Sequence, residues 1–362
     1  MKYIDEFRDK ARVAELLKAL AKTKVRRANI MEVCGTHTVA IFRSGLRGLI
    51  EEHVNLISGP GCPVCVTSQP DIDRMIALSA IKNVVITTFG DMLRVPGTKS
   101  TLEKERAKGA DVRIVYSPLD ALEIAAADRK KEVVFLAVGF ETTSPLVAAL
   151  VSDAKTRKLR NFSVYPCHKL IPPAIKALLD AGEVTLHGFI CPGHVSVTIG
   201  SKAYEFICRD YRIPCVVGGF EPVDILETIL LILRQIERKK AEVEIQYSRA
   251  VKPNGNPQAQ ALLRRVFSPA EAEWRGLGII PGSGLELKSA YRQFDAARKF
   301  SLKKSSAREN PACSCGDILR GVKTPRQCRL FGKTCTPENP YGPCMVSTEG
   351  TCAAWYKYNR KP

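Results

Sequence analysis

Thirteen cysteines are the residues of this 362-residue chain best suited to chemistry. Six lie near the C-terminus, at Cys313, Cys315, Cys328, Cys335, Cys344 and Cys352. Gaps of x14, x6 and x16 separate four of them, Cys313, Cys328, Cys335 and Cys352. Four soft thiolates at this spacing suit a [4Fe–4S] cluster or a zinc ion, and the lack of paired C-x2–4-C knuckles favours the cluster. Cys315 and Cys344 are left over, with Cys315 as an alternative to Cys313.

A second group of cysteines follows two short apolar runs nearer the N-terminus. The run at 30–33 ends in Cys34-Gly35-Thr36-His37-Thr38, after which the pattern becomes helical. A cysteine at a helix N-terminus has its thiolate stabilised by free backbone N–H groups and by the helix dipole. We therefore predict that Cys34 is an activated thiolate and that His37 hydrogen-bonds it or a ligand. A buried turn cysteine and a structural histidine are the alternatives.

The run at 54–57 ends in Gly59-Pro60-Gly61-Cys62-Pro63-Val64-Cys65. A C-x-x-C sequence permits a disulfide or two thiolates on one metal, and it tunes the reactivity of its first thiol. Because loops at the carboxyl ends of parallel strands lie side by side, we expect Cys34, Cys62 and Cys65 to meet in one cleft. The pair at 62 and 65 is predicted to be a dithiol–disulfide couple.

Other predicted strands also end in chemically capable loops. The sequence Gly139-Phe140-Glu141-Thr142-Thr143 is echoed at 219–223 and more loosely at 89–91. Such an acid either binds a ligand at the carboxyl end of a strand or marks the start of a helix. Both interpretations stay open for Glu141, whereas a helix start is favoured for Glu221. His194, in Cys191-Pro-Gly-His194, occupies another loop of this kind and is a further candidate.

These loops need a scaffold of parallel strands. From about residue 28 to residue 217, β-rich runs alternate with amphipathic stretches, a pattern typical of βαβ units. The fold class expected is α/β, with two parallel-sheet domains of related βα units, at 1–130 and 131–240, and a small C-terminal iron–sulfur domain at 241–362. The stretch 285–303 has a helical pattern. The tail beyond it has too few large apolar residues to fold on packing alone, so a metal cluster is expected to stabilise it.

Composition and charge argue against several functions. Lys and Arg exceed Asp and Glu by 55 − 37 = 18, but no basic run alternates with aromatics, so an acidic protein or anionic ligand is expected rather than nucleic acid. The aliphatic run 225–233 is too short to span a membrane and contains Glu227. No apolar signal region opens the sequence, which predicts a cytoplasmic location. Cysteines in such a protein indicate metal or redox chemistry more than disulfides.

In chain order, the motifs resemble those of the HypD family of hydrogenase maturation proteins. They are Cys34-Gly-Thr-His-Thr38, Gly59-Pro-Gly-Cys-Pro-Val-Cys65, Gly139-Phe-Glu-Thr-Thr143, Pro192-Gly-His-Val195 and the C-terminal cysteine cassette. The matches extend from residue 31 to residue 354 and so cover nearly the whole chain. The resemblance implies two α/β domains followed by a [4Fe–4S] domain.

The resemblance also implies a role in building the Fe(CN)2CO unit of [NiFe]-hydrogenases. In that family the small chaperone HypC shares the iron through its N-terminal cysteine, and HypE, charged through HypF, donates cyanide. Cys34 would then be the ligand of a transient Fe(II), and Cys62 and Cys65 a redox dithiol fed by the C-terminal cluster. The loops at Glu141–Thr143 and His194 would line a pocket for cyanide and CO.

An iron–sulfur thiol–disulfide oxidoreductase that acts on a partner protein is the second interpretation. It would require only the C-x-x-C pair and the cluster, and it would keep its activity without Cys34. A binding module with a structural metal is the third interpretation, and it would tolerate loss of Cys62 and Cys65.

Overall fold

The computed structural model describes residues 5–303 and 305–358 of the chain. Eleven strands occur within these ranges: β1 (Ala28–Glu32), β2 (Val54–Ser58), β3 (Val84–Thr88), β4 (Asp111–Ile114), β5 (Glu132–Gly139), β6 (Phe162–His168), β7 (Gly188–Pro192), β8 (Cys215–Gly218), β9 (Val243–Ile245), β10 (Phe267–Trp274) and β11 (Gly278–Leu287). The first nine form two parallel sheets and the last two an antiparallel hairpin. The predicted α/β class with parallel sheets is confirmed.

Helices cover both sheets and lead into the tail. Seventeen α-helices occur in the same ranges: α1 (Lys10–Ala21), α2 (Gly35–Arg43), α3 (Leu46–Ile50), α4 (Pro63–Val66), α5 (Gln69–Ser79), α6 (Leu102–Ala107), α7 (Pro118–Ala127), α8 (Ser144–Thr156), α9 (Ile171–Ala181), α10 (Gly193–Ile199), α11 (Glu205–Tyr211), α12 (Pro222–Glu237), α13 (Pro257–Val266), α14 (Ala296–Lys299), α15 (Cys315–Leu319), α16 (Pro343–Val346) and α17 (Thr351–Tyr358). Short 3₁₀ turns occur at Asp5–Phe7, Gly90–Met92, Ser201–Tyr204, Ser289–Phe294 and Pro325–Gln327.

The first sheet holds the loops that carry the N-terminal cysteines. Its strand order is β2-β1-β7-β8-β9, and each neighbouring pair is parallel. Ile30 of β1 lies opposite Leu56 of β2 on one side and Gly188 of β7 on the other. The carboxyl ends of these three strands therefore lie at one edge of the sheet, where Cys34, Cys62 and His194 follow them.

The second sheet has the order β4-β3-β5-β6 and is also parallel throughout. It lies within residues 84–168, whereas the first sheet draws on residues 28–58 and 188–245. The sheets thus do not divide at residue 130, where the sequence places a domain boundary, because β1 pairs with β7 across the whole of the second sheet. Alternating strands and helices indicate βα units, but they do not show which strands pair.

The longest helix of the described residues is α12, which contains the run 225–233. Ile225, Ile229 and Ile232 have no exposed surface, and the helix packs between β8 and α1. The run 225–233 is therefore part of a buried helix. Among the described residues, no helix is both long enough and apolar enough to cross a membrane.

The helix expected over 285–303 is wrong in its first half. Leu285 and Leu287 belong to β11 and pair with Pro269 and Phe267 of β10. A 3₁₀ turn follows, and α14 starts only at Ala296. Its N-cap is Asp295, whose carboxylate accepts a hydrogen bond from Ala297 N at 2.9 Å. Tertiary pairing with β10 therefore overrides a local helical pattern.

The C-terminal tail packs against the first sheet and its loops. Helices α15 and α16 contact α4, and α17 contacts α2. A side chain at Gly35 would collide with the backbone of Glu349, at 2.6 Å from its carbonyl oxygen. The tail therefore covers the edge where the carboxyl ends of β1 and β2 lie.

Two glycines bring the cysteine loops of β1 and β2 into backbone contact. Gly35 N donates a hydrogen bond to Gly61 O at 3.0 Å, and a Cβ at Gly61 would overlap the backbone nitrogen of Cys34. Only glycine fits at position 61, since the obstructing atoms are main-chain atoms that cannot move aside.

Gly61→Ala should lower the free energy of unfolding by about 2 kcal/mol or more, because the methyl group must displace the Cys34 loop. Gly48→Ala is the matched control, since a Cβ at Gly48 meets nothing within 4 Å. Gly48 lies in α3, so the control should be neutral or stabilising by up to about 1 kcal/mol. Urea denaturation of both variants measures the difference. Equal stabilities would show that the loops are not in contact.

Candidate functional site

Strand β1 delivers Cys34 to the N-terminus of α2 in an extended conformation, with φ −156° and ψ 122°. The side chain is 7% exposed. Burial, and next the Glu349 carboxylate, raise the pKa of the thiol to about 12, although the backbone N–H groups of His37 and Thr36 act in the opposite direction. This differs from the predicted activated thiolate, because desolvation outweighs the helix terminus.

The surroundings of Cys34 nonetheless suit a metal-bound thiolate. The backbone N–H groups of Thr36 and His37, at the first turn of α2, act to lower the pKa of the Cys34 thiol, because such donors favour the charged form. Burial disfavours the thiolate, and a metal cation would stabilise it. Binding of the thiolate to a metal releases the thiol proton. The site therefore favours a thiolate only together with a cation.

His37 and His194 are joined by an aromatic ring that sequence reasoning did not single out as functional. Phe220 stacks on His37 at 4.6 Å between ring centroids and on His194 at 4.0 Å. His37 is fully buried, and burial lowers its pKa to about 4. Its Nε2 donates to Gly219 O at 2.9 Å, which leaves Nδ1 as an acceptor without a hydrogen-bond partner among the described residues. His37 thus does not hydrogen-bond Cys34 through its ring.

A cavity of about 480 Å³ opens beside this stack. Its lining includes Thr36, Arg43 and Phe220, and also the ion pair between Arg8 and Glu221. Glu221 marks the start of α12, where the Asp224 carboxylate accepts a hydrogen bond from its backbone N–H at 3.2 Å. The helix-start interpretation of Glu221 therefore agrees with the structure.

Cys62 and Cys65 form a disulfide with a Cα–Cα distance of 5.2 Å. Cys62 caps α4, and its sulfur accepts a hydrogen bond from Cys65 N at 3.2 Å. The two residues are 4% and 0% exposed. The loops of β1 and β2 lie side by side, as the pairing of their strands predicts, and the pair next to Cys34 is oxidised.

Residues of the tail and the second sheet close over these loops. Thr36 Oγ1 donates to Glu349 Oε1 at 2.7 Å. Asp91, at the carboxyl end of β3, accepts hydrogen bonds from Ser347 Oγ at 2.9 Å and Thr348 N at 3.2 Å. Sequence reasoning missed Glu349, which carries no local signal, and noted Asp91 only as part of a loose repeat.

Glu32 is a second acid that sequence reasoning missed. It is 2% exposed at the end of β1, and burial raises its pKa to about 8. Its carboxyl group accepts a hydrogen bond from Thr38 Oγ1 at 2.6 Å and from Cys34 N at 3.4 Å. An acid inside the apolar run 30–33 was the available signal. Through these two hydrogen bonds Glu32 fixes the Cys34 loop to the end of β1.

Glu141 follows β5, a strand of the second sheet. It is 3% exposed, and burial raises its pKa to about 7. Oε1 accepts a hydrogen bond from Ile171 N at 3.0 Å, while Oε2 has no hydrogen-bond partner among residues 5–303 and 305–358. Thr142 is exposed, and Thr143 Oγ1 donates to Phe140 O at 3.4 Å. Phe140 stacks on Trp274, so this loop borders the hairpin and α4, which contacts β5.

All six tail cysteines are free thiols, five buried and Cys313 half-buried. The neighbouring Cys315 and Cys352 thiols lower the pKa of the Cys344 thiol. Cys328, Cys335 and Cys344 all act electrostatically on Cys313. The structure therefore does not single out the four cysteines that the spacing predicts, because Cys315 and Cys344 lie within the same group.

Backbone N–H groups are directed at these sulfur atoms. Cys335 Sγ accepts a hydrogen bond from Tyr341 N at 3.4 Å. Burial alone would raise the pKa of Cys328, but the N–H groups of Ser314, Leu330 and Phe331 lower it below its ordinary value. Hydrogen bonds to sulfur are a feature of iron–sulfur sites, so the donor set fits a cluster. Within the described ranges, no three or more His, Cys, Asp or Glu residues are arranged to hold a single metal ion.

A family model described as the hydrogenase formation hypA family, HypD, matches residues 10–359. The chain belongs to the HypD family of hydrogenase maturation factors. It is similar over its whole length to the hydrogenase maturation factor HypD of Azotobacter vinelandii, with 48% identity and 98% of that protein covered. Identity to the HypD of Cupriavidus necator is 47%, over 99% of this chain and 98% of that protein.

An archaeal relative extends the comparison. The putative hydrogenase expression/formation protein of Methanocaldococcus jannaschii is 45% identical over 93% of this chain and 94% of its own length. The resemblance inferred from the five motifs is thus confirmed at the level of the HypD family.

The buried Glu141 carboxyl group should make stability fall as pH rises. Its folded pKa of about 7 lies above the ordinary value of 4.5, so the folded state binds the extra proton between these two values. The free energy of unfolding of wild type, relative to Glu141→Gln, should fall by on the order of 1 kcal/mol per pH unit in the steepest part of that window and level off above it. Urea denaturation at a series of pH values measures this difference. A constant difference would mean that Glu141 is ionised in the folded protein across the window.

Proposed function

We propose that this HypD-family chain is a redox-active scaffold on which, together with HypC, the Fe(CN)2CO unit of [NiFe]-hydrogenase is assembled. The observation that carries the proposal is the meeting of three sulfur sites. The Cys34 loop is hydrogen-bonded to the loop of Cys62 and Cys65 at 3.0 Å. Of the tail cysteines, Cys315 lies on α15 and Cys344 on α16, and both helices contact α4, which bears that disulfide.

Cys34 is the proposed iron ligand. The iron is the substrate of the assembly and not a resident cofactor of this chain. The Cys34 thiol lies at the first turn of α2, where two backbone N–H groups favour the thiolate, and it belongs neither to the disulfide nor to the tail group. A soft thiolate is a suitable ligand for iron. HypC, through its N-terminal cysteine, shares the iron, and the cavity beside Thr36 gives a partner access to this edge.

Cyanide is received from HypE, with HypF upstream. Cyanide and CO on iron need nearby polar groups that do not themselves displace them from the metal. Neutral His37 is stacked on Phe220, and the exposed His194 is stacked on the same ring. Glu141, largely protonated below its pKa of about 7, offers an O–H, with Thr142 and Thr143 next to it. These residues are the proposed lining for the diatomic ligands.

Cys62 and Cys65 are the proposed electron store. Reduction of their disulfide to two thiols takes two electrons and two protons. The tail cysteines, with Cys313, Cys328, Cys335 and Cys352 as the predicted ligands, are proposed to hold a [4Fe–4S] cluster. Such a cluster, when bound, supplies single electrons. The residues of the chain contribute the burial, the N–H donors and the contact of α15 and α16 with α4.

Burial of the disulfide argues against the alternative oxidoreductase. With Cys62 and Cys65 4% and 0% exposed, a partner protein's disulfide cannot reach either sulfur unless the tail or the Cys34 loop moves. Small ligands and electrons do not face that obstacle. The scaffold interpretation is therefore favoured.

Cys34→Ala should eliminate the infrared bands of iron-bound cyanide and CO in the complex with HypC purified without oxygen, because no other thiol occupies that position. Cys208→Ala is the matched control, since Cys208 is also a free cysteine and also 7% exposed. Both variants should lose no more than about 1 kcal/mol of stability. Full diatomic bands in Cys34→Ala would place the iron elsewhere and favour the oxidoreductase.

Cys328→Ala should abolish the visible absorption of a brown, oxygen-sensitive protein and destabilise the tail, because cluster binding contributes folding free energy. Iron and sulfide should approach about four each per chain in wild type. Cys191→Ala, which removes a buried free cysteine of β7, should leave both values unchanged. A colourless wild-type protein with one zinc ion would contradict the cluster.

A further inference from the structure

Arg275 is a buried arginine seated on the segment that follows the disulfide. Its side chain is 4% exposed, and it follows directly after the last residue of β10. Nε donates to Thr67 O at 3.1 Å and Nη2 donates to Gln69 Oε1 at 3.2 Å. The backbone N–H of Arg275 donates to Val66 O at 2.9 Å. The guanidinium is thus anchored to the residues that follow Cys65.

The same turn also touches the helix of Cys315. Gly276, which has a φ of 76°, lies so close to Gly316 that a Cβ there would fall 2.8 Å from Gly316 O. Arg320 Nη1 donates to Gly276 O at 2.7 Å. The turn of the hairpin therefore contacts both α4, through Val66 O, and α15, through Gly316. The charge of Arg275 lies against the segment that follows Cys65.

The positive charge of Arg275 is poorly balanced. Both oxygens that accept its hydrogen bonds, on Thr67 and Gln69, are neutral. The carboxylate that the described residues place against it is Glu309, whose Oε2 lies 4.0 Å from Nη1 and whose side chain is 37% exposed. Glu309 Oε1 accepts instead from Gly276 N at 2.9 Å. A buried cation with mainly neutral partners stabilises any negative charge that forms beside it.

We propose that Arg275 is a positioning residue that stabilises the reduced form of Cys62 and Cys65 and so raises the reduction potential of their disulfide. The proposal rests on the redox role proposed above for this pair. In reduction by glutathione, two glutathione thiols become one glutathione disulfide, and Cys62 and Cys65 become one thiol and one thiolate with release of a proton. The charge of Arg275 favours that thiolate, whereas the disulfide gains nothing from it.

The test measures the equilibrium between the disulfide and glutathione buffers in the purified full-length chain. After acid quenching and alkylation, the tryptic peptide of residues 48–74 reports the couple alone, since Cys62 and Cys65 are its only cysteines. Arg275→Gln should lower the equilibrium constant for reduction about tenfold, which is about 30 mV for a two-electron couple. An unchanged constant would overturn the proposal.

Two further variants separate charge from structure. Arg275→Lys keeps the charge and loses the planar fork, so its constant should lie closer to wild type than that of Arg275→Gln; equal constants for the two variants would overturn the proposal. Glu309→Gln removes the opposing carboxylate at a partly exposed position, so its constant should rise. A fall in Glu309→Gln would also count against the electrostatic role. This arm remains informative if the Arg275 variants do not fold.

The assay requires neither iron nor HypC. A failure of the chain to assemble the diatomic unit would therefore leave the reduction constants readable, and the two proposals fail separately. Circular dichroism melting of each variant accompanies the titration and identifies any shift that comes from partial unfolding.

Discussion

The approach of Gly61 to the backbone of Cys34 is the constraint on which the rest of the site depends. It exists because β1 and β2 are adjacent parallel strands, so that their following loops leave the sheet at the same edge. With no side chain between them, the loops bond directly through Gly35 N and Gly61 O. Everything that covers this edge, including Glu349 and the tail helices, is arranged over that contact.

Desolvation by burial has the largest effect on the pKa values of four residues near these loops. It raises the pKa of Cys34 to about 12, of Glu32 to about 8 and of Glu141 to about 7, and lowers that of His37 to about 4. The surroundings of these four residues therefore favour their neutral forms. A dry site of this kind suits a cation that arrives with its own anionic ligands.

Much of the scaffold was predictable, because apolar runs such as 54–57 and 133–136 have the length and composition of buried parallel strands. Adjacency of the cysteine loops followed from that. Pairing between β1 and β7 did not, since it joins residues far apart in sequence. The raised pKa of Cys34 depends on burial in the folded chain. Likewise, the grouping of Cys315 with Cys344 arises from contacts in three dimensions that spacing does not encode.

The discontinuous first sheet has a consequence for synthesis of the chain. The second sheet is complete once Phe162–His168 has emerged from the ribosome, whereas the first must wait for β7, β8 and Val243–Ile245. Domains generally fold as units, those made first folding first. The middle of the chain can therefore fold while β1 and β2 are still without their central neighbour. Cys34, Cys62 and Cys65 are the earliest cysteines to be translated and among the last to be enclosed, because the tail that covers their loops is made at the end.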